Sequence, residues 1–145
     1  MAHAYATLID LSQQRSDAAA AQMAQLMRRH EESSKKRAVL SSYRDEYRAR
    51  MDEAKRRGAG GATIENFRAF VERLDEAVAQ QQADADFWHQ RLADARARWQ
   101  GERRSLSAYS TLAERRAAAQ ALRDRRRERR AEDEFAARCR PAFSH

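Results

Sequence analysis

One pattern constrains this chain more than any other: between residues 64 and 113, apolar side chains recur at alternating intervals of three and four residues. A repeat of this kind gives a helix one apolar stripe and predicts that it packs against another helix in a coiled coil. Polar residues interrupt the stripe only at Gln81 and Glu102. The positions of this seam are Ile64, Phe67, Val71, Leu74, Val78, Gln81, Ala85, Trp88, Leu92, Ala95, Trp99, Glu102, Leu106, Tyr109 and Ala113.

A glycine-rich segment, RRGAGGAT at residues 56–63, is the clearest break in helix-forming sequence, since the 145 residues contain only four glycines and one proline. Gly58, Gly60 and Gly61 can adopt the backbone angles of a helix end and a turn. We expect Thr63 to be the N-cap of the helix that follows. The chain is therefore predicted to form one domain, with helix 1 at about 4–57, a turn at 58–62, helix 2 at about 63–138 and a short tail at 139–145.

The short turn predicts an all-α fold, a long antiparallel two-helix coiled-coil hairpin. Helix 2 alone would be about 110 Å long at about 1.5 Å per residue. With the turn near residue 59, Tyr47 lies level with Val71, and residues beyond about 115 have no partner in helix 1. Helix 2 is thus expected to overhang helix 1 at the end where the termini meet.

Helix 1 shows the same periodicity less completely, because RRHEESSKKR at residues 28–37 contains no apolar residue. We interpret this stretch as a solvated segment whose partner helix also tolerates polar side chains; a hinge is the alternative. The remaining stripe comprises Leu8, Leu11, Ala18, Ala19, Met23, Leu26, Leu40, Tyr43, Tyr47, Met51 and Ala54.

No catalytic, cofactor or metal site is expected. The four histidines are scattered, without a second ligand at metal-binding spacing. On a two-helix hairpin the many carboxylates have no concave pocket that would shift their pKa values, so an enzyme is rejected. The single cysteine, Cys139, and an N-terminus without a signal or anchor pattern favour a cytoplasmic protein.

The formal net charge is +7, with basic residues concentrated towards both ends of the chain. This charge favours association with anionic surfaces. The run LRDRRRERR at residues 122–130 has two interpretations. Asp124 and Glu128 can pair with arginines along a solvated helix face, which we favour, or the arginines can grip nucleic-acid phosphates. A basic coiled-coil protein that binds nucleic acid therefore remains an alternative, although aromatic residues for base stacking are few.

Near the turn, the apolar surface is wider than one partner helix covers, because Phe70 and Ala77 lie beside the seam. In the predicted register, Leu40, Tyr43 and Tyr47 of helix 1 lie at the same level. The two sets can merge into an aromatic-rich patch of the kind that marks a protein interface. We expect both tyrosine rings to pack partly within the hairpin and to expose their outer edges. The tryptophans of the seam are interpreted as packing residues.

The segment LSSYRDEYRARMDEAKRRGAGGATIENFRAFVERLDEAVAQQ, residues 40–81, resembles the central signature of the flagellar FliJ family. The shared features are paired tyrosines, a glycine turn and an aromatic-rich helix of the form NFxxFxxxLxxAxxxQ. The later segments RWQGERRSLSAYSTLAERR and AEDEFAAR also resemble that family, so the likeness extends in order along nearly the whole chain.

This resemblance implies a soluble component of the flagellar type III protein export apparatus, cytoplasmic and peripheral at the inner membrane. It implies a central stalk that binds the FliI-type hexameric export ATPase, couples it to the cytoplasmic or linker part of the FlhA export gate and escorts export chaperones. A stalk protein of a virulence type III secretion system is the alternative, with a different membrane partner.

The resemblance also implies positions for these contacts. The gate-binding residues fall near the turn, and the ATPase-binding residues are expected near the termini. The first set is Leu40, Tyr43, Tyr47, Phe70, Leu74, Ala77 and Gln81. The second set is Leu8, Leu11, Arg115, Arg116, Leu122, Arg126 and Phe135.

Overall fold

The chain folds into two α-helices in a computed structural model that describes residues 2–140. Helix α1 comprises Ala2–Arg56 and helix α2 comprises Gly61–Arg138. The helices pack against each other in antiparallel directions, and no strand occurs among the described residues. The prediction of an all-α two-helix hairpin is confirmed. The predicted tail at 139–145 lies mostly outside the described residues. Within the described residues, neither helix contains an apolar stretch long enough to cross a membrane.

The residues form two compact units. One is Asp17–Gln100, which contains the turn, and the other combines Met1–Ser16 with Gly101–His145. We call them the turn unit and the terminal unit. Each pairs a part of α1 with a part of α2, as in the contact between Tyr47 and Phe70 in the turn unit and that between Tyr5 and Arg116 in the terminal unit. The prediction of a single continuous domain stays a prediction.

Helix α1 ends in a Schellman motif. The N–H of Gly58 donates to the carbonyl of Lys55 at 3.2 Å, and the N–H of Ala59 donates to the carbonyl of Ala54 at 3.0 Å. Gly58 has a φ of 77°, in the left-handed region that a side chain would disfavour. The two bonds satisfy carbonyl groups that the last turn of a helix otherwise leaves without partners. Gly58 therefore fixes where α1 stops.

Helix α2 begins two residues earlier than predicted, and the expectation that Thr63 caps it is wrong. The carbonyl of Gly60 accepts the first helical hydrogen bond, from the N–H of Ile64 at 3.2 Å, so Gly60 occupies the N-cap position. Thr63 is already the third residue of α2. Glycine is an acceptable N-cap, so α2 can start directly after the Schellman motif.

The core of the turn unit is one heptad position of α2. Val71, Val78, Ala85 and Leu92 are buried and follow one another at intervals of seven residues, and Ala95 is buried beside them. The other seam residues between positions 64 and 99 are half-buried. The seam predicted for this part of α2 is confirmed, because a stripe with this period must face one neighbouring helix throughout.

Helix α1 meets this stripe partly with polar residues. Ser33 is only 3% exposed. Its Oγ donates to Asp84 Oδ2 at 2.7 Å and accepts from Gln81 Nε2 at 2.7 Å. One turn away, the rings of His30 and His89 lie with centroids 5.4 Å apart. The polar stretch of α1 thus faces the polar interruption of α2, as the favoured interpretation predicted, and α1 remains helical through it.

The contact stripe of α1 differs from the predicted one. Leu11, Ala18 and Tyr43 are exposed, whereas Ser12 and Ser16 are buried. An apolar pattern cannot identify this stripe, because serine is small enough to lie against a neighbouring helix and has a hydroxyl group to satisfy there. Close approach of two helices favours such small residues over leucine.

Replacing Gly58 by alanine should lower the free energy of unfolding by about 1–2 kcal/mol, because a Cβ disfavours the left-handed conformation. The matched control is Gly61→Ala, at a glycine with no positive φ and no atom within 4 Å of an added Cβ. That change should be neutral or stabilise the protein by up to about 1 kcal/mol. Urea unfolding followed by circular dichroism compares them; equal midpoints would contradict the role of Gly58.

Candidate functional site

The candidate gate-binding residues of the turn unit surround one aromatic contact. The ring of Tyr47 lies 4.5 Å from that of Phe70 between centroids, tilted by 59°, and 6.5 Å from that of Phe67. These distances are in the favourable range for aromatic pairs. We call the surface around this contact the aromatic patch. Its residues are Leu40, Tyr43, Tyr47, Phe70, Leu74, Ala77 and Gln81.

The side chains of the aromatic patch differ in exposure. Tyr43 is 52% exposed and Phe70 is 39% exposed. Leu40, Tyr47 and Leu74 are half-buried, as is Ala77. The ring of Tyr47 therefore packs in the hairpin, whereas Tyr43 lies mostly outside it. This arrangement leaves apolar surface in water from both helices at one level of the hairpin.

Gln81 lies at the far end of the aromatic patch and is turned inward. Its amide donates to Ser33 Oγ at 2.7 Å and is 3.4 Å from Asp84 Oδ2. These bonds hold the side chain against α1. Gln81 thus has a structural role in addition to the partner-binding role that the resemblance implies.

Charged side chains border the aromatic patch. Asp75 accepts from Arg48 at 3.2 Å and lies 3.5 Å from an Nη atom of Arg44. The guanidinium of Arg50 lies 5.0 Å from the centroid of the Tyr47 ring. The inference from the heptad pattern missed these groups, although arginines four residues apart on one helix signal a shared face. Arg50 places a positive charge beside the Tyr47 ring, whereas the charges of Arg44 and Arg48 are opposed by Asp75.

The candidate ATPase-binding residues lie in the terminal unit, and the structure brings only some of them together. Arg116 lies over the ring of Tyr5 at 5.4 Å from its centroid, and its Nη1 donates to Tyr5 Oη at 3.4 Å. Leu8 is half-buried nearby along α1. Sequence inference missed Tyr5, which forms a shallow apolar groove with Ile9 and the alanines of α2 at positions 113, 117 and 121.

The remaining members of this set are on open helix surface. Leu11 is 43% exposed, Leu122 is 45% exposed and Phe135 is 69% exposed. Arg115 and Arg126 are exposed too, as is every residue of α2 from position 114 onward. In the terminal unit, this stretch offers guanidinium groups and two large apolar side chains to a partner.

Neither surface has the geometry of an active site. Among the described residues, no group of three or more histidine, cysteine or carboxylate side chains converges as metal ligands would. The histidine pair in the turn unit provides only two imidazoles. What the arrangement offers is contact area: exposed aromatic rings, alkyl side chains and arginine donors. Such surfaces bind other proteins.

Comparison with known proteins gives consistent matches along the chain. A family model described as "Flagellar FliJ protein" matches residues 1–140. The flagellar FliJ protein of Salmonella typhi is 28% identical over 132 residues, which cover 91% of this chain and 90% of that protein. The flagellar FliJ protein of Escherichia coli K12 is 28% identical over 135 residues, covering 93% and 92%.

The two tyrosines should respond differently to truncation. Tyr47→Ala removes a ring packed between helices and should lower the free energy of unfolding by about 2 kcal/mol, roughly half the cost of deleting a fully buried aromatic ring. Tyr43→Ala removes a mostly exposed ring and should change it by no more than about 0.5 kcal/mol. Denaturant unfolding of both variants is the measurement. A cost at Tyr43 equal to that at Tyr47 would mean that both rings are structural.

Proposed function

This chain belongs to the flagellar FliJ family, and we propose from that premise that it is a non-catalytic component of the flagellar type III protein export apparatus. Its work there is to connect other proteins. We place it in the cytoplasm, peripheral at the inner-membrane export apparatus. The flagellar identity of both relatives favours this system over a virulence secretion system.

The aromatic patch is the surface that binds the FlhA export gate in this proposal. The observation that carries it is the combination of one packed ring, Tyr47, with two exposed rings beside it, Tyr43 and Phe70. Rigid aromatic anchors lose little conformational entropy on binding, and their burial by a partner supplies most of the energy of a small interface. Leu40, Leu74 and Ala77 extend the apolar surface, and Gln81 fixes its far end.

The terminal unit is the part that binds the export ATPase as a central stalk. Its exposed stretch of α2 from position 114 carries the arginines of the basic run and the side chains of Leu122 and Phe135. An arginine-rich helix surface can pair with carboxylates that line a ring of subunits, while the two apolar residues anchor it. Leu8, Leu11, Arg115, Arg116 and Arg126 complete this set.

Coupling then requires no chemistry in this protein. The ATPase binds one part of the chain and the gate binds another, so engagement of the ATPase holds the gate-binding surface at the gate. Export chaperones are further partners in this proposal, escorted to the same apparatus. A basic protein of net charge +7 would associate rapidly with acidic partners of this kind.

The double variant Tyr43→Ala with Phe70→Ala should weaken binding to the purified cytoplasmic part of FlhA at least tenfold, because it removes two exposed anchors. Calorimetric titration measures the affinity, and swimming motility with secretion of flagellar proteins measures its consequence. The matched control is Met27→Ala, at a residue of α1 that is similarly exposed, at 48%, but is not part of the patch. Unchanged gate binding together with normal export would contradict the assignment.

The double variant Leu122→Ala with Phe135→Ala should reduce stimulation of the export ATPase severalfold. Both side chains are exposed, so their removal should leave the unfolding midpoint close to that of the parent. ATP hydrolysis is measured while the purified ATPase is titrated with each variant, and a chain that ends at residue 114 serves as the extreme case. Full stimulation by the shortened chain would rule out the stalk role of α2.

A further inference from the structure

A second aromatic cluster lies in the turn unit, apart from the aromatic patch. The ring of Phe87 is 48% exposed and meets that of Trp88 edge-on, with centroids 5.0 Å apart. The guanidinium of Arg91 lies 4.9 Å from the centroid of Phe87, and that of Arg29 lies 5.5 Å from the centroid of Trp88. We call these four residues the arginine–aromatic cluster.

The cluster and the aromatic patch share one edge of the turn unit. Phe70, Ala77 and Arg91 occupy the same heptad position of α2, since multiples of seven residues separate them. On α1, Tyr43 and Arg29 are likewise fourteen residues apart. Residues at one heptad position lie along one edge of a coiled coil, so the same edge carries apolar surface at one level and stacked arginines at another.

Exposed apolar side chains of the turn unit concentrate on this edge. Val39 is 54% exposed and lies one turn before Tyr43, just as Phe87 lies one turn before Arg91. Of the five exposed large apolar residues in positions 17–100, four are therefore on or next to it, and Met27 is the exception. If this surface had no partner, its exposed apolar side chains would not be expected to concentrate along one edge.

The arginines of the cluster have unused hydrogen-bonding capacity. Within the described residues, neither Arg29 nor Arg91 forms an ion pair, in contrast to Arg44 and Arg48, which both approach Asp75. Asp84, which shares the heptad position of Arg91, is engaged by Ser33. A guanidinium stacked on a ring keeps its N–H groups available at its rim, where a carboxylate can accept two of them.

We propose that the gate segment bound by the aromatic patch continues along this edge to the arginine–aromatic cluster as an acidic amphipathic helix. Its apolar face would cover Tyr43, Phe70 and Phe87, and its carboxylates would lie at the level of Arg29 and Arg91. Phe70 and Phe87 are seventeen residues apart, which corresponds to about 25 Å along α2, and a helix of similar length covers this distance. This inference rests on the proposed function and extends it.

A helix is the conformation that this edge accepts. An extended peptide gains its affinity by adding main-chain hydrogen bonds to a sheet edge, and the described residues contain no strand. A helix has no free main-chain donors to satisfy along its length, and it presents apolar residues every third or fourth position. Such a stripe can meet Val39 and Tyr43, which are four residues apart on α1, and reach Phe70 and Phe87 at either end of the edge. A third helix along this edge is therefore the natural mode of binding.

The experiment titrates the full-length protein with the purified cytoplasmic part of FlhA, including the segment that joins it to the membrane domain, at low and at physiological salt. Phe87→Ala should weaken binding about fivefold or more, in the range of interface anchors. The double variant Arg29→Gln with Arg91→Gln should weaken binding at low salt and flatten its salt dependence. Met27→Ala is the control and should bind like the parent.

The outcomes separate this inference from the function on which it rests. If Tyr43→Ala with Phe70→Ala weakens binding while the Phe87 and arginine variants bind like the parent at both salt concentrations, the contact ends at the aromatic patch and the extension is wrong. If none of these variants changes the affinity, the gate contact itself is wrong. Arg91→Glu places a carboxylate where the proposed helix needs a cation, so unchanged binding of this variant would also contradict the extension.

Discussion

The packing of one apolar stripe of α2 against α1 is the interaction on which the rest of the turn unit depends. Its buried residues are small, valine and alanine with a single leucine, and no large side chain among the described residues is completely enclosed. Two helices cannot surround a side chain on all sides as a bundle does. Each seam residue therefore keeps an edge near water, and contact surface for partners arises directly from the fold.

Polar residues in the seam give this interface a register. An apolar stripe of uniform small residues would tolerate a shift of one heptad, because the same side chains would meet again. Ser33 bonded to both Gln81 and Asp84 removes this degeneracy, since a shifted helix would leave the buried hydroxyl without its partners. The same register determines that Tyr47 meets Phe70. The contact between Tyr47 and Phe70 thus depends on hydrogen bonds that lie more than one heptad away from it.

The fold was predictable from the sequence because its two signals are local. The seam of α2 and the glycines of the turn are read directly from spacing and residue type, and both are observed. The contact stripe of α1 was only partly predictable, since it uses Ser12, Ser16 and Ser33, and hydropathy does not distinguish a buried serine from a solvated one. Thr63 was wrong as the N-cap because Gly60, three residues earlier, accepts the first helical hydrogen bond of α2.

The candidate site could be predicted from the sequence even less completely than the fold. Spacing placed Tyr43 and Tyr47 on one helix face, but their separate roles depend on where each ring meets α2. The sequence pattern did not identify Phe87, because this residue lies beside the seam rather than on it. Its proposed role depends on its contacts with Trp88 and Arg91, and on the contact of Trp88 with Arg29. A pairing between residues 29 and 88 is visible only once the helices are in register. In a two-helix protein, the period of the apolar residues predicts which face of each helix packs. The binding surface depends on the register of the two helices, because the register determines which side chains of α1 lie beside which side chains of α2.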